Sequence, residues 1–176
     1  FAVNRDGAAN AARACRDSGC RLVHVSTDYV FGEGFSRPID EEAPAEPLNV
    51  YGMSKLAGER EIAGILPERS LIVRTSSLHG RYGANFVHTI LDLLRKRPRL
   101  TVVGDQIMSP TWAGWLAEVL LELAVRPERT GVVHACSGAA ISWFEFAAAI
   151  AAEAARGGET VGAVEPIAAR DYPRPA

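Results

Sequence analysis

The sequence has few of the features that mark specialised classes of protein. Its three cysteines, Cys15, Cys20 and Cys136, include no CxxC pair. An odd number excludes complete internal pairing, so we expect neither a disulfide framework nor a cysteine-based zinc site. No apolar run is long enough to span a membrane, and no signal peptide precedes the first predicted helix. These absences favour a reducing, cytoplasmic compartment and no membrane partner.

An excess of one charge is also missing. The 19 Lys and Arg residues nearly balance the 21 Asp and Glu residues, which gives a formal net charge of -2. Such a balance indicates no nucleic-acid partner. The four histidines show no metal-ligand spacing, so no metal site is expected. The acidic run over residues 40–42 is interpreted as a solvated loop.

A Gly-rich dinucleotide motif is absent as well, because neither GxGxxG nor GxxGxxG occurs. Gly32-Glu-Gly34 leads into Pro38 and not into a helix, so it is interpreted as a surface turn. The chain opens with Phe1 and a predicted helix, and not with Met and a strand. We therefore expect an internal segment that lacks the N-terminal cofactor-binding unit.

What is present is an alternation of helices with short, continuously apolar strands. The hydrophobic residues, 48% of 176, are enough for a core. Helices are predicted over 4–18, 49–65, 86–97, 111–123 and 142–156, and strands over 21–26, 70–76, 100–103, 131–135 and 161–167. In the fourth helix, Trp112 and Trp115 are predicted to be core residues. This order predicts an α/β fold with a parallel sheet covered on both faces.

The fold class that follows is a partial Rossmann-like parallel sheet with a smaller α/β substrate-binding portion. We expect residues 1–176 to form a single partial domain. Approximately residues 1–80 would be the C-terminal half of a nucleotide-binding sheet and would carry the catalytic residues. Approximately residues 81–176 would be the substrate-binding portion, intermixed with the last strands of the sheet.

The most informative motif is Tyr51-Gly-Met-Ser-Lys55. On a helix that begins at Asn49, Tyr51 and Lys55 are four residues apart and share a face. A free tyrosine has a pKa of ~10, and an ammonium group one turn away favours the phenolate. A tyrosine tuned in this way can protonate the oxygen formed when hydride reaches a carbonyl. On its own the motif also fits an exposed helix face with an aromatic–cation contact.

Hydroxyl side chains follow two predicted strands where each strand ends. Ser26 and Thr27 end one strand, and Thr75 and Ser76 follow Arg74 at the end of another. In open α/β sheets, ligands bind at the carboxyl ends of the strands. A hydroxyl there can polarise a substrate carbonyl. The alternative for Thr27 is a turn residue that bonds local backbone, and for Asp28 it is an Asx turn.

Taken together, these motifs resemble the extended short-chain dehydrogenases, and within them the dTDP-4-dehydrorhamnose reductases. The resemblance covers essentially all 176 residues. It rests on a strand that ends in Ser-Thr-Asp-Tyr-Val-Phe, on Tyr51-Gly-x-Ser-Lys55 with Gly58-Glu59, and on the segments Arg74-Thr75-Ser76, Asn85-Phe86, Asp105-Gln106, Ser109-Pro110-Thr111 and Arg174-Pro175.

The resemblance implies reduction of the C4 keto group of a 4-keto-6-deoxy sugar nucleotide with NADPH or NADH. Thr27 would polarise the carbonyl, Tyr51 would donate the proton, and Lys55 would hold the nicotinamide ribose and favour the Tyr51 phenolate. The implied cofactor-binding residues are Ser26, Tyr51, Lys55, Arg74, Thr75 and Ser76. The implied substrate-binding residues are Thr27, Tyr29, Asn85, Gln106, Ser109 and Thr111. The sequence is also compatible with a homodimer.

Two departures from the family pattern bear on the substrate. Ser77-Leu78-His79 stands where family members carry Trp-Val-Tyr or similar residues, and Ile107-Met108 follows Gln106 where a small residue is common. Two alternatives therefore stay open. One is an epimerase or dehydratase of the same superfamily, although no Glu follows Asp28. The other is a non-catalytic, regulatory subunit that binds nucleotide.

Overall fold

The computed structural model describes residues 1–33 and 37–172. The helices are α1 (Ala8–Asp17), α2 (Val50–Ile65), α3 (Phe86–Lys96), α4 (Ala113–Ala124) and α5 (Trp143–Arg156). The strands are β1 (Leu22–Thr27), β2 (Ser70–Thr75), β3 (Leu78–His79), β4 (Arg99–Val103), β5 (Ile107–Met108), β6 (Thr111–Trp112), β7 (Gly131–His134), β8 (Ile141–Ser142) and β9 (Ala163–Ile167). A π-helical segment (Ala2–Gly7) and two 3-10 helices (Asp28–Val30 and Ala169–Asp171) complete the elements. Gly34 of the predicted surface turn and the Arg174-Pro175 pair lie outside the described residues.

The chain divides into two compact units. Unit 1 comprises residues 1–76 and 115–136, and unit 2 comprises residues 77–114 and 137–176. Unit 1 therefore contains β1, β2 and β7, and unit 2 contains the remaining strands. Each unit has an apolar core of its own.

Unit 1 is built on a parallel sheet with the strand order β1–β2–β7. Ile72 of β2 packs with Ala12 and Ile62, so α1 and α2 cover one face. Leu71 and Val73 pack with Leu116, so α4 covers the other face. The continuously apolar residues of β2 are buried on both sides, as a parallel sheet between helices requires. The predicted Rossmann-like α/β class is confirmed.

Unit 2 contains three two-stranded sheets and the helices α3 and α5. Strands β4 and β9 are parallel, as are β3 and β6, whereas β5 and β8 are antiparallel. Ile90 and Leu94 of α3 pack with Ala147 and Ile150 of α5. Ser142 begins α5 with a capping box in which the Glu145 carboxylate accepts the Ser142 backbone N–H.

The prediction for Trp112 and Trp115 is wrong. Trp112 is 55% exposed and Trp115 is 37% exposed, so neither is a core residue. The predicted helix over 111–123 also begins too early, since Thr111 and Trp112 form β6. The Thr111 N–H donates to the Ser77 carbonyl, and this pairing with β3 competes with an additional helical turn.

The acidic loop contains a contact that the sequence did not predict. One Glu41 carboxylate oxygen accepts the His134 backbone N–H at 2.9 Å. This hydrogen bond lowers the pKa of Glu41, because it stabilises the charged form. Glu41 thus anchors the loop to the end of β7 and is not merely solvated.

The described residues contain no membrane-spanning helix, no metal cluster and no disulfide between the three cysteines. No helix there has the length and apolar character needed to cross a membrane. Residues 1–33 and 37–172 hold no group of three His, Cys, Asp or Glu side chains that could bind a metal ion. Cys15, Cys20 and Cys136 are free thiols, and Cys20 is the exposed one of the three.

Candidate active site

The carboxyl ends of β1 and β2 lie side by side in unit 1. Ser26 is in register with Arg74, and Thr27 is in register with Thr75. All four side chains are buried, together with Ser76. The structure therefore brings the predicted hydroxyl residues of both strands to one edge of the sheet.

Asp28 connects these two strand ends. Its Oδ1 accepts a hydrogen bond from Thr27 Oγ1 at 3.1 Å, and its Oδ2 accepts one from Ser76 Oγ at 2.5 Å. Thr27 Oγ1 also accepts the Tyr29 backbone N–H at 3.3 Å, which caps the following 3-10 helix. A bridge between residues 48 positions apart has no local sequence signal, so the sequence indicated only a turn for Asp28.

Helix α2 presents Tyr51 beside this edge. The Asn49 side chain caps the helix by accepting the Gly52 N–H at 2.8 Å, as the sequence predicts. Tyr51 is 50% exposed, and its ring meets the Tyr29 ring edge-to-face at a centroid distance of 5.8 Å. A Cβ on Gly52 would overlap the Tyr29 carbonyl oxygen, so glycine is what allows this close approach.

Lys55 lies one turn further along α2 and reaches β1. Its Nζ donates to the Val25 carbonyl at 2.7 Å and lies 3.4 Å from His24 Nε2. Burial lowers the pKa of Lys55, and the nearby Glu59 carboxylate opposes this effect. Burial, followed by the Lys55 charge, lowers the pKa of His24 to about 4, so His24 is neutral near pH 7. An ammonium group has three donors, so Lys55 retains one for a ligand hydroxyl.

The Arg74 side chain forms an ion pair with Glu59 of α2. Its Nε donates to Glu59 Oε1 at 3.1 Å and its Nη2 to Glu59 Oε2 at 2.7 Å, in a buried bidentate pair. The Phe31 ring centroid lies 5.0 Å from the guanidinium carbon. The resemblance implied that Arg74 binds cofactor, and the structure gives its side chain this internal partner. The role of Glu59 was missed, because only the fold brings residues 59 and 74 together.

Buried polar atoms without partners remain near the edge of the sheet. Ser26 Oγ, Thr75 Oγ1 and Arg74 Nη1 have no hydrogen-bond partner within residues 1–33 and 37–172. Thr75 and Arg74 also line a small pocket of about 40 Å³, together with Asp28, Phe31, Ser76, His134 and Cys136. Buried hydroxyls are normally hydrogen-bonded, and a pocket of this volume has room for about one water-sized polar group.

The predicted substrate residues after position 80 belong to unit 2. Asn85 caps α3 by accepting the His88 N–H at 3.2 Å, and its amide donates to the Gly80 carbonyl. Thr111 is fully buried, and its hydroxyl donates to the Ser109 carbonyl at 3.1 Å. Ser109 Oγ lies 3.1 Å from Ser137 Oγ, and Gln106 is half-buried between β4 and β5.

The two departures from the family pattern lie in short strands of unit 2. Leu78 and His79 form β3, and the His79 ring packs against Phe146 at 5.3 Å. Ser77 has a φ of 46°, a left-handed conformation that non-glycine residues seldom adopt. Ile107 and Met108 form β5, which pairs with β8.

This geometry defines a Rossmann-like α/β protein with threonine, tyrosine and lysine beside the carboxyl edge of its sheet. Over residues 1–176 the chain belongs to the RmlD substrate binding domain family. It is 43% identical over 145 residues to a dTDP-4-keto-6-deoxy-D-glucose reductase of Streptomyces niveus, covering 82% of this chain and 50% of the relative. It is 40% identical over 181 residues to a dTDP-4-dehydrorhamnose reductase of Mycobacterium tuberculosis, covering 100% and 58%.

Solved structures of two reductases are among those similar to the chain. A dTDP-4-dehydrorhamnose reductase from Bacillus anthracis in complex with NADP superposes with a TM-score of 0.88 at 38% identity, covering 96% of this chain and 58% of that one. An ortholog from Clostridium acetobutylicum gives a TM-score of 0.90 at 34% identity, covering 98% and 59%. The chain thus spans between half and three-fifths of the length of these relatives.

Proposed function

We propose that the chain carries the catalytic residues and substrate-binding part of a nicotinamide-dependent sugar-nucleotide reductase. The reaction is reduction of the C4 keto group of a 4-keto-6-deoxy sugar nucleotide, and the relatives' names support this substrate class. The observation that carries the proposal is the position of Lys55, which shares a face of α2 with Tyr51 and is hydrogen-bonded to the end of β1.

In this proposal three side chains act on the carbonyl group. The Thr27 hydroxyl turns from Asp28 to the substrate carbonyl oxygen and polarises it. Tyr51 donates a proton to that oxygen as negative charge develops on it. The Lys55 ammonium stabilises the phenolate that remains on Tyr51. A bound reduced nicotinamide supplies the hydride.

We infer that NADPH or NADH is held by residues at the carboxyl edge of the sheet. The unpartnered hydroxyls of Ser26 and Thr75 and the third Lys55 donor support this assignment. The NADP in the Bacillus anthracis structure supports the phosphorylated cofactor. The roles of Tyr51, Arg74 and Ser76 toward the cofactor stay predictions.

Residues 81–176 are proposed as the substrate-binding portion and residues 1–80 as the catalytic half of the nucleotide-binding sheet. The proposed substrate residues Thr27, Tyr29, Asn85, Gln106, Ser109 and Thr111 stay predictions, with Asn85 and Thr111 already engaged inside unit 2. A homodimer and a cytoplasmic setting complete the proposal, and the three free thiols support a reducing compartment.

The test is oxidation of reduced nicotinamide by the complete protein when it is given a dTDP-4-keto-6-deoxy sugar. Tyr51→Phe should lower kcat by about 10²–10⁴-fold, because it removes the proton donor and keeps the ring. Tyr82→Phe is the matched control, since Tyr82 is 84% exposed and belongs to unit 2. Turnover that survives in Tyr51→Phe would contradict the proposed proton donor.

The same assay separates the alternatives. An epimerase or dehydratase would convert the sugar nucleotide without net consumption of reduced nicotinamide, which product analysis detects. A regulatory subunit would bind nucleotide and show no turnover with any 4-keto sugar nucleotide. Either result would replace the reductase proposal.

A further inference from the structure

A buried polar layer separates α2 from β1 and β2 beneath the candidate active site. It contains His24 and Arg74 from the sheet and Lys55 and Glu59 from the helix. Glu59 is 3% exposed and Arg74 is 7% exposed. Burial of charged groups is unfavourable unless each group is paired, and even a paired buried charge adds little net stability. Stability alone therefore does not explain this layer. Neither Glu59 nor His24 touches the proposed substrate in the mechanism described above.

The spacing on α2 links this layer to the proposed chemistry. Tyr51, Lys55 and Glu59 follow one another at intervals of four residues, so they form a line along one face of the helix. Lys55 therefore has Tyr51 one turn before it and Glu59 one turn after it. A carboxylate one helical turn away from an ammonium group favours the charged form of that group.

Arg74 determines where the Glu59 charge lies. Both Glu59 oxygens accept hydrogen bonds from the guanidinium group, which itself packs on the Phe31 ring. A bidentate pair fixes its partners more firmly than a single hydrogen bond does. Glu59 is thus held to β2, and Lys55 stays free to reach the Val25 carbonyl on β1.

Five groups face or influence Lys55 in the described part of the chain. They are Tyr51 and Glu59 from α2, His24 and the Val25 carbonyl from β1, and Arg74 from β2 behind Glu59. His24 is uncharged near pH 7, because burial and Lys55 lower its pKa to about 4. The carboxylate of Glu59 is the group that opposes the effect of burial on the pKa of Lys55.

We propose that Glu59, fixed by Arg74, is a positioning residue that acts through Lys55 and keeps its partly buried ammonium group charged beside Tyr51. The consequence for catalysis rests on the proposed reductase function, whereas the effect on the Lys55 charge does not. The competing explanation is that the Glu59–Arg74 pair only ties α2 to β2. In that case its loss would lower stability and leave the protonation of Lys55 unchanged.

The first experiment is an NMR titration of the Lys55 side chain in the complete protein. In Glu59→Gln, Lys55 should lose its proton at a lower pH than in the wild type, because the stabilising carboxylate is gone. Glu59→Asp keeps the charge and should restore most of the original midpoint. Glu61→Gln makes the same change elsewhere on α2 and should leave the midpoint in place. An unchanged Lys55 midpoint in Glu59→Gln would overturn the proposal.

A second variant covers the case in which Glu59→Gln does not fold, since that change leaves Arg74 buried and unpaired. Glu59→Gln combined with Arg74→Met removes both charges and keeps similar volumes. Lys55 should still titrate below the wild-type midpoint, because the double variant lacks the Glu59 carboxylate that favours the charged ammonium group. A midpoint at or above that of the wild type would contradict the assignment.

The kinetic measurement links the charge to turnover. Relative to the wild type, Glu59→Gln should lose more kcat at pH 9 than at pH 7, with KM little changed, because Lys55 loses its proton at a lower pH in the variant. A uniform loss at all pH values would show a purely structural role. If the wild type shows no turnover, the reductase proposal fails, and the NMR titration still decides the Lys55 inference.

Discussion

Single residues at the edge of the sheet carry both a local structural task and a proposed chemical one. Thr27 illustrates this, because its hydroxyl caps the 3-10 helix over Asp28–Val30 and also bonds the Asp28 carboxylate. A substitution at Thr27 therefore affects stability and turnover by different amounts. The two effects are separable. Loss of the capping bond lowers the free energy of unfolding by about 1 kcal/mol. Loss of carbonyl polarisation raises the activation free energy of the reaction by more than that.

Thr27→Val should lower kcat about 10²-fold or more in the reductase assay, because it removes the hydroxyl and keeps the branched shape. The free energy of unfolding should fall by only about 1 kcal/mol, from the lost cap. Thr27→Ser retains the hydroxyl and serves as the control, with kcat close to that of the wild type. Equal turnover in the valine and serine variants would argue against the assigned role.

His24 makes stability depend on pH. Its pKa is lowered to about 4 in the folded chain from an ordinary value of 6.5, so the unfolded chain binds the proton more readily. The free energy of unfolding should therefore decrease as the pH falls from about 6.5 to about 4. The loss should be on the order of 1–2 kcal/mol, because His24 is only half-buried and water screens part of the effect.

Urea denaturation at pH 7 and pH 5 measures this change. A His24→Gln variant lacks the titrating group, so its stability should decrease less than that of the wild type over the same interval. Parallel pH profiles for the two proteins would show that His24 does not contribute.

The sequence predicted the residues of the candidate site that belong to a local motif. Tyr51 and Lys55 share a helix face by their spacing, and Thr27 lies where an apolar strand ends. The Glu59–Arg74 pair and the Asp28–Ser76 bond join positions 15 and 48 residues apart. Such contacts depend on strand register and helix packing, which no short spacing encodes.

Among the elements, α2 carries two of the proposed catalytic residues, Tyr51 and Lys55. Its three glycines differ in how closely other atoms approach them. A Cβ at Gly52 would overlap the Tyr29 carbonyl oxygen, and one at Gly58 would overlap the Asn4 carbonyl oxygen. At Gly64, in the same helix, nothing lies within 4 Å. The helix therefore uses two glycines for close packing, and its third is exposed.

Gly52→Ala should lower the free energy of unfolding by about 1–3 kcal/mol, because α2 must move away from Tyr29. Gly64→Ala should raise it by about 0.5–1 kcal/mol, since alanine favours the helix and the site has room. Chemical denaturation of both variants gives the two values. Stabilisation by both substitutions would contradict a close approach between Gly52 and the Tyr29 carbonyl oxygen.

Helix starts were predicted better than short strands. Asn49 and Ser142 cap α2 and α5 as the sequence indicated, because a capping side chain acts on a backbone N–H two or three residues away. Strands β3, β5, β6 and β8 have two residues each, so they are too short for a hydrophobic period. Their existence depends on partners brought together by the fold.

At the scale of the whole molecule, the parallel sheet of unit 1 followed from the alternation of helices with buried strands. The sequence placed a division near residue 80, with the later residues intermixed with the last strands of the sheet, and this organisation stays a prediction. In the structure, residues 115–136 return to unit 1 after a segment that belongs to unit 2. A chain that leaves a unit and re-enters it has no composition change at the crossing points. Only the tertiary contacts reveal this arrangement.

Each unit has its own core, so damage to one core should be localised. Leu94 is 1% exposed in the core of unit 2. Leu94→Ala should lower the free energy of unfolding of that unit by about 2–5 kcal/mol. Hydrogen exchange should accelerate in α3, α5 and β4, while β2 of unit 1 serves as the internal reference. An equal loss of protection in β2 would show that the two units unfold as one.

The exposed thiol of Cys20 offers a practical route to these measurements. It lies two residues before β1, whereas Thr27 ends that strand, and the five residue steps from Leu22 to Thr27 alone span roughly 16–17 Å. A maleimide dye should react with Cys20 ahead of the less accessible Cys15 and Cys136. The label would report ligand binding by fluorescence from the opposite end of the strand, without occupying the edge where Thr27 and Tyr51 lie.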